Sequence, residues 1–121
     1  MEEDLSFPDR LEIALVEGSM VLDDIDSSAP LTSRRLGGGT LNESDLARMG
    51  EVVGKLLGLA QLADARRSPL VREAAGKLKE AIDAARAHAD DPGPVRLASE
   101  AAREGLRLAA RGFGLSESML A

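Results

Sequence analysis

Few residues of this 121-residue chain are of a type that does chemistry, and their spacing argues against most of it. His88 is the only histidine, and there is no cysteine. A lone imidazole cannot build a zinc site or the Glu-x-x-His pairs of a di-iron bundle, so no metal is expected. Thiolate chemistry and disulfides are excluded outright. Ser19, Ser33 and Ser44 have no histidine nearby to activate them, which leaves no nucleophile for covalent catalysis. His88 precedes Ala-Asp-Asp-Pro-Gly-Pro, a turn that closes a helix. That is not the exposed mid-helix setting from which a histidine passes phosphate.

Two basic segments invite a ligand reading. Arg34-Arg35-Leu36-Gly37-Gly38-Gly39-Thr40 sets glycines ahead of a helix, where backbone N–H groups can hold a phosphate. It lacks the GxxxxGK[ST] spacing and any preceding strand, so it reads as a flexible linker and no cofactor is expected. Arg96, Arg103, Arg107 and Arg111 recur along one predicted helix, interleaved with Glu100 and Glu104. They are candidate contacts for an anion or an acidic peptide, against the plainer reading of a salt-bridged face in water. No aromatic residue accompanies them for stacking on single-stranded nucleic acid. The formal net charge of −6 also disfavours nucleic acid as a partner.

The composition sets the elements that must position these groups. The chain is 44% hydrophobic and 30% charged, as a globular domain is. Its apolar residues are mainly Ala and Leu, with no Trp or Tyr and Phe only at 7 and 113. Helix formers dominate and strand formers are scarce. No apolar run nears the roughly 18 residues of a membrane span. The start, MEEDLSFPDR, lacks the basic and apolar regions of a signal peptide. We therefore expect a cytoplasmic protein without a membrane partner. Residues 1–30 carry nine acids and one base, whereas 31–121 carry twelve acids and fourteen bases. The acidic first part can lie against basic residues of the last.

Periodicity predicts an all-α, antiparallel four-helix bundle forming one domain over 1–121, with an acidic lead over 1–7. A first helix over 8–24 is capped by Ser6, with Leu11, Leu15, Leu22 and Ile25 on one stripe that Ile13, Val16 and Met20 widen. Residues 26–40 form a long flexible linker between the first and second helices. The second helix starts at Thr40 in a Thr-x-x-Glu capping box and runs to Arg67. Its Leu46, Met49, Val53, Leu56, Ala60 and Ala63 follow a heptad pattern. A third helix spans 69–89 and a fourth 94–111, separated by a turn over 90–94. Gly112 is the expected left-handed cap, with a tail over 115–121. The two tight connections make antiparallel neighbours the default.

The second helix stands apart. Gly50, Gly54 and Gly58 fall within about 80° of arc, with Gln61 and Ala65 beside them. Another arc is bulky, and only Glu51 and Lys55 look directed at water. Three interior glycines cost about 3 kcal/mol relative to alanine, which close helix packing can offset. Either a helix of the same chain covers the glycine face, or another chain does. Gly50, Gly54, Gly58, Leu57 and Gln61 are thus the candidate helix-packing or interface residues. The expected function is a non-enzymatic interaction module with an adaptor or regulatory role. It self-associates, as a homodimer that exchanges a helix in one form, or docks a partner protein through the first two helices. The alternative is a small-ligand-binding or sensory bundle, with the ligand between helices.

Overall fold

The computed structural model describes residues 6–28, 43–87 and 91–116. They form four helices: α1 (Phe7–Ser28), α2 (Glu43–Leu62), α3 (Ser68–Ala87) and α4 (Pro92–Gly112). No strand occurs among the described residues. Each helix packs on the next in chain order, and α1 closes the ring against α4. The residue pairings of α4 with α1 and with α3 run in opposite order. Phe7 meets Phe113 and Asp26 meets Arg103 between α1 and α4, while Leu70 lies at Gly112 and Ala74 at Gly105 between α3 and α4.

The core follows the heptad positions. Leu11, Leu15, Leu22 and Ile25 of α1 are buried against Leu56, Val71, Leu78, Val95 and Leu106. Small residues set how closely the helices approach. A Cβ at Gly105 would lie 3.4 Å from the Ala74 Cα, so α3 and α4 are near backbone contact there. A Cβ at Gly18 would lie 3.2 Å from a Leu106 methyl. Ser99 is buried with its hydroxyl unpartnered among the described residues. A buried hydroxyl without a hydrogen bond destabilises by about 1 kcal/mol or more. Ser99→Ala is therefore expected to stabilise the fold by about 1 kcal/mol, raising the Tm by about 4 °C in a thermal melt.

Five expectations are corrected. First, residues 26–28, assigned to the linker, continue α1. Ile25 is fully buried and Asp26 reaches Arg103, so this turn stays docked on α4. The rest of the linker, with Arg34–Thr40, lies outside the described residues, as do His88 and 117–121.

Second, α2 ends at Leu62, not Arg67. Asp64 accepts a hydrogen bond from the Arg67 backbone N–H at 3.1 Å, and Ser68 Oγ donates to the Ala60 carbonyl at 2.8 Å. Side chains thus replace the ladder of a continued helix. The Arg67 side chain also donates to Asp64 at 2.7 Å, and this bond chiefly holds the Asp64 carboxyl below its ordinary value of 3.8. A carboxylate lowered in the fold stabilises above its unfolded value and loses that contribution as pH falls through the folded one. The Tm gap between the parent and Asp64→Asn is therefore expected to be widest near neutrality and to shrink below pH 3.8.

Third, α4 starts at Pro92, not Pro94. Asp91 is the N-cap and accepts from the Gly93 N–H at 3.1 Å, with Pro92 in the first turn, where a missing N–H costs nothing.

Fourth, the left-handed residue is Gly114, with φ of 70°, not Gly112. The Leu115 N–H donates to the Ala110 carbonyl and the Gly114 N–H to that of Arg111, the paired bonds of a Schellman motif. Gly112 answers a different need, since a Cβ there would collide with Leu70.

Fifth, α2 turns more than Glu51 and Lys55 to water, since Gly50, Gly54, Leu57, Gly58 and Gln61 are exposed as well. Of the bulky arc, Met49, Val52, Val53, Leu56, Leu59 and Ala60 are covered but Leu57 is not, and Ile13 and Met20 of α1 likewise stand in water.

Candidate interaction surface

The helical repeat places Leu46, Met49, Val52, Val53, Leu56, Leu59 and Ala60 on one half of α2, all buried. Gly50, Gly54, Gly58 and Gln61 fall on the other half and are exposed. Among the described residues nothing lies within 4 Å of a Cβ built on any of the three glycines. They do not pack on α1 or α4, and Gly76 of α3 is equally open. The close approaches inside this bundle belong to Gly18 and Gly105 instead. The conformational cost of the α2 glycines therefore has no offset among the described contacts.

Large apolar side chains are exposed on both α1 and α2. Leu57 is 41% exposed and Leu62 62%, and on α1 Ile13 is 47% and Met20 58% exposed. Two open grooves run between α1 and α2. One of about 470 Å³ is lined by Ile13, Ala14, Gly58, Leu59 and Leu62, with Arg10 at its edge. The other, of about 490 Å³, is lined by Met20, Val21, Met49 and Val52, with Asp24, Asp45, Arg48 and Glu51 around them. The Lys55–Glu17 ion pair, at 3.1 Å, is common to the lining of both grooves. Both partners are substantially exposed, so its contribution to stability is small. It marks the level at which α1 and α2 face each other.

No protein family, curated protein or solved structure matches this chain.

The arginine stripe of α4 is not gathered into one site. Arg103 is half-buried and donates to Asp23 at 2.9 Å and Asp26 at 2.8 Å, clamping the end of α1 onto α4. Burial alone would lower the pKa of this guanidinium, but its hydrogen bonds to the two aspartates outweigh burial and raise it. Arg107 pairs with Glu104 on its own helix at 3.0 Å. Arg96 and Arg111 are exposed, and Arg111 is itself engaged. Part of the stripe therefore holds the acidic first helix in place.

Among the described residues no group of three or more His, Asp or Glu side chains could hold a metal ion. No helix among them is long and apolar enough to cross a membrane.

Sequence reasoning missed Ile13 and Met20, reading them as a wider core stripe. The signal was present. At 100° per residue they lie about 180° from Leu11, Leu15 and Leu22. Leu97 and Leu108, also exposed, stand three turns apart on the outer side of α4. Isolated apolar residues of that kind are ordinary on a surface.

Proposed function

We propose that this chain is a non-enzymatic protein-interaction module that docks through α1 and α2, associating with itself or with a partner protein in an adaptor or regulatory role. The observation that carries this reading is the exposure of Ile13, Met20, Leu57 and Leu62 on the two helices whose groove also holds the open Gly58, Ile13 and Leu62 lining that groove together. Large exposed apolar groups are scattered on most monomers, whereas a contiguous set rimmed by charge marks a contact surface. The glycines make the strip flat enough for a second helix to approach closely. Arg10, Arg48, Glu17 and Glu51 supply the polar rim that such interfaces use for register.

Affinity capture with the parent, Ile13→Asp and Leu97→Asp as baits tests the reading. Captured protein should be lost with Ile13→Asp and kept with Leu97→Asp, with circular dichroism unchanged in both. Equal capture by the two variants would remove the α1–α2 face from consideration.

The groove of about 470 Å³ is also within the size range of small-molecule sites, and its mainly apolar lining supports a ligand-binding bundle as the second reading. A small molecule retained in native mass spectrometry, and lost in Ile13→Asp, would favour it.

A further inference from the structure

α1 is held differently from the other three helices. α3 and α4 meet at backbone level, where a Gly105 Cβ would lie 3.4 Å from the Ala74 Cα. Asp64 and Ser68 close the α2–α3 turn, and Arg67 within it lies 4.4 Å from the centre of the Phe113 ring at the end of α4. These ties join α2, α3 and α4 to one another without α1. α1 instead rests on side-chain ends. A Cβ at Gly18 would meet methyls of Leu106 at 3.2 Å and of Leu78 at 3.5 Å, and at the start of α1 Phe7 meets the Phe113 ring.

The charges divide in the same way. α1 carries six acids and one base, whereas residues 43–112 carry eleven acids and twelve bases. Lys55 of α2 and Arg103 of α4 stand on opposite flanks of α1, and both find their acids on it. Lys55 pairs with Glu17 at 3.1 Å, and Arg103 with Asp23 at 2.9 Å and Asp26 at 2.8 Å. Neighbouring cations are paired on their own helices, Arg48 with Asp45 and Arg107 with Glu104. Lifting α1 therefore leaves an apolar floor that includes Leu78 and Leu106, with a released cation on each flank. A groove of that kind fits an amphipathic helix whose apolar stripe is edged by carboxylates. α1 is itself such a helix, burying Leu11, Leu15, Leu22 and Ile25 between those acids.

We propose that α1 is a built-in competitor: it leaves as a unit while α2–α4 stay folded, and the seat it vacates takes an acidic amphipathic helix of a partner protein. The seat lies beneath α1, and the exposed α1–α2 surface lies outside it, so neither depends on the other.

Hydrogen exchange of the full chain tests the release. Amides of α1 should exchange at least tenfold faster than those of α3 and α4, once corrected for intrinsic rates. Asp23→Asn/Asp26→Asn removes the acids that face Arg103. It should speed α1 at least a further fivefold and leave α3 unchanged. A labelled peptide of residues 6–28 then probes the seat by fluorescence anisotropy. A helix tethered in the same chain competes at an effective concentration on the order of 1 mM, so the parent should bind the peptide only weakly. The Asp23→Asn/Asp26→Asn chain should bind it at least fivefold more tightly, because the peptide keeps the aspartates that the tethered helix has lost. A peptide with lysine in place of both aspartates should bind that chain at least tenfold more weakly. One exchange rate shared by all four helices overturns the proposal, as does equal peptide affinity for the two chains. A parent that sediments at twice 12.7 kDa, and falls to a single chain in excess peptide, would place α1 of a second copy in the seat and overturn an outside partner.

Discussion

Leu106→Ala is expected to destabilise the fold by about 3–4 kcal/mol and to lower the Tm by about 12 °C. Leu106 is fully buried, and its methyls stand where a Gly18 Cβ would come, alongside Leu78. Removing it leaves a void between α4 and α1 that neither helix can fill without moving, so both the transfer and the cavity terms apply. For a small domain this is a large share of total stability. The same geometry predicts a partial rescue. In the parent, a methyl at Gly18 meets Leu106 at 3.2 Å, and the leucine must shift to accept it. In the Leu106→Ala background that conflict is gone. Gly18→Ala then gains about 1 kcal/mol of helix propensity and fills part of the void. Urea unfolding of the four proteins of this cycle measures the coupling. Additivity within about 0.3 kcal/mol would show that Gly18 and Leu106 do not share a contact.

The second large effect concerns Gly105. Leucine at this position is expected to cost about 3 kcal/mol, because its Cβ already lies 3.4 Å from the Ala74 Cα and 3.6 Å from the Lys77 Cγ. A backbone atom cannot rotate aside, so α3 and α4 must separate. The same substitution at Gly76 of α3 meets nothing within 4 Å among the described residues and should stabilise by a few tenths of a kcal/mol through propensity alone. Opposite signs for one substitution on two adjacent helices, read from denaturant midpoints, are the expected result. Equal effects would mean that the close crossing of α3 and α4 is absent in solution.

Much of the fold was legible before the structure. The heptad on the second helix named Leu46, Met49, Val53, Leu56 and Ala60, and all are buried, while its last position, Ala63, is half-buried. Helix ends were less legible, because they depend on a few side-chain hydrogen bonds. Nothing in the periodicity distinguishes a helix running through Asp64 from one that Asp64 closes by accepting from Arg67. At the other end of α4, two nearby glycines compete for the left-handed position, and the choice of Gly114 leaves Gly112 free to make room for Leu70.

The surface was legible in kind but not in orientation. A repeat of four shows that Gly50, Gly54 and Gly58 share an arc. It carries no information on whether another helix covers that arc. Long-range partnerships were illegible for a related reason. Arg103 and its two aspartates, or Phe7 and Phe113, lie far apart in the chain, and no local pattern pairs them.

The meeting of the two phenylalanines has a consequence for how the chain can be recut. Their ring centroids are 5.5 Å apart, and the Arg67 guanidinium sits 4.4 Å from the centre of the Phe113 ring. The start of α1, the α2–α3 turn and the end of α4 are thereby fastened at one pole of the bundle. A circular permutant that joins the segments before Phe7 and after Phe113 by a short bridge, and begins instead at α2, keeps this fastening and every helix contact.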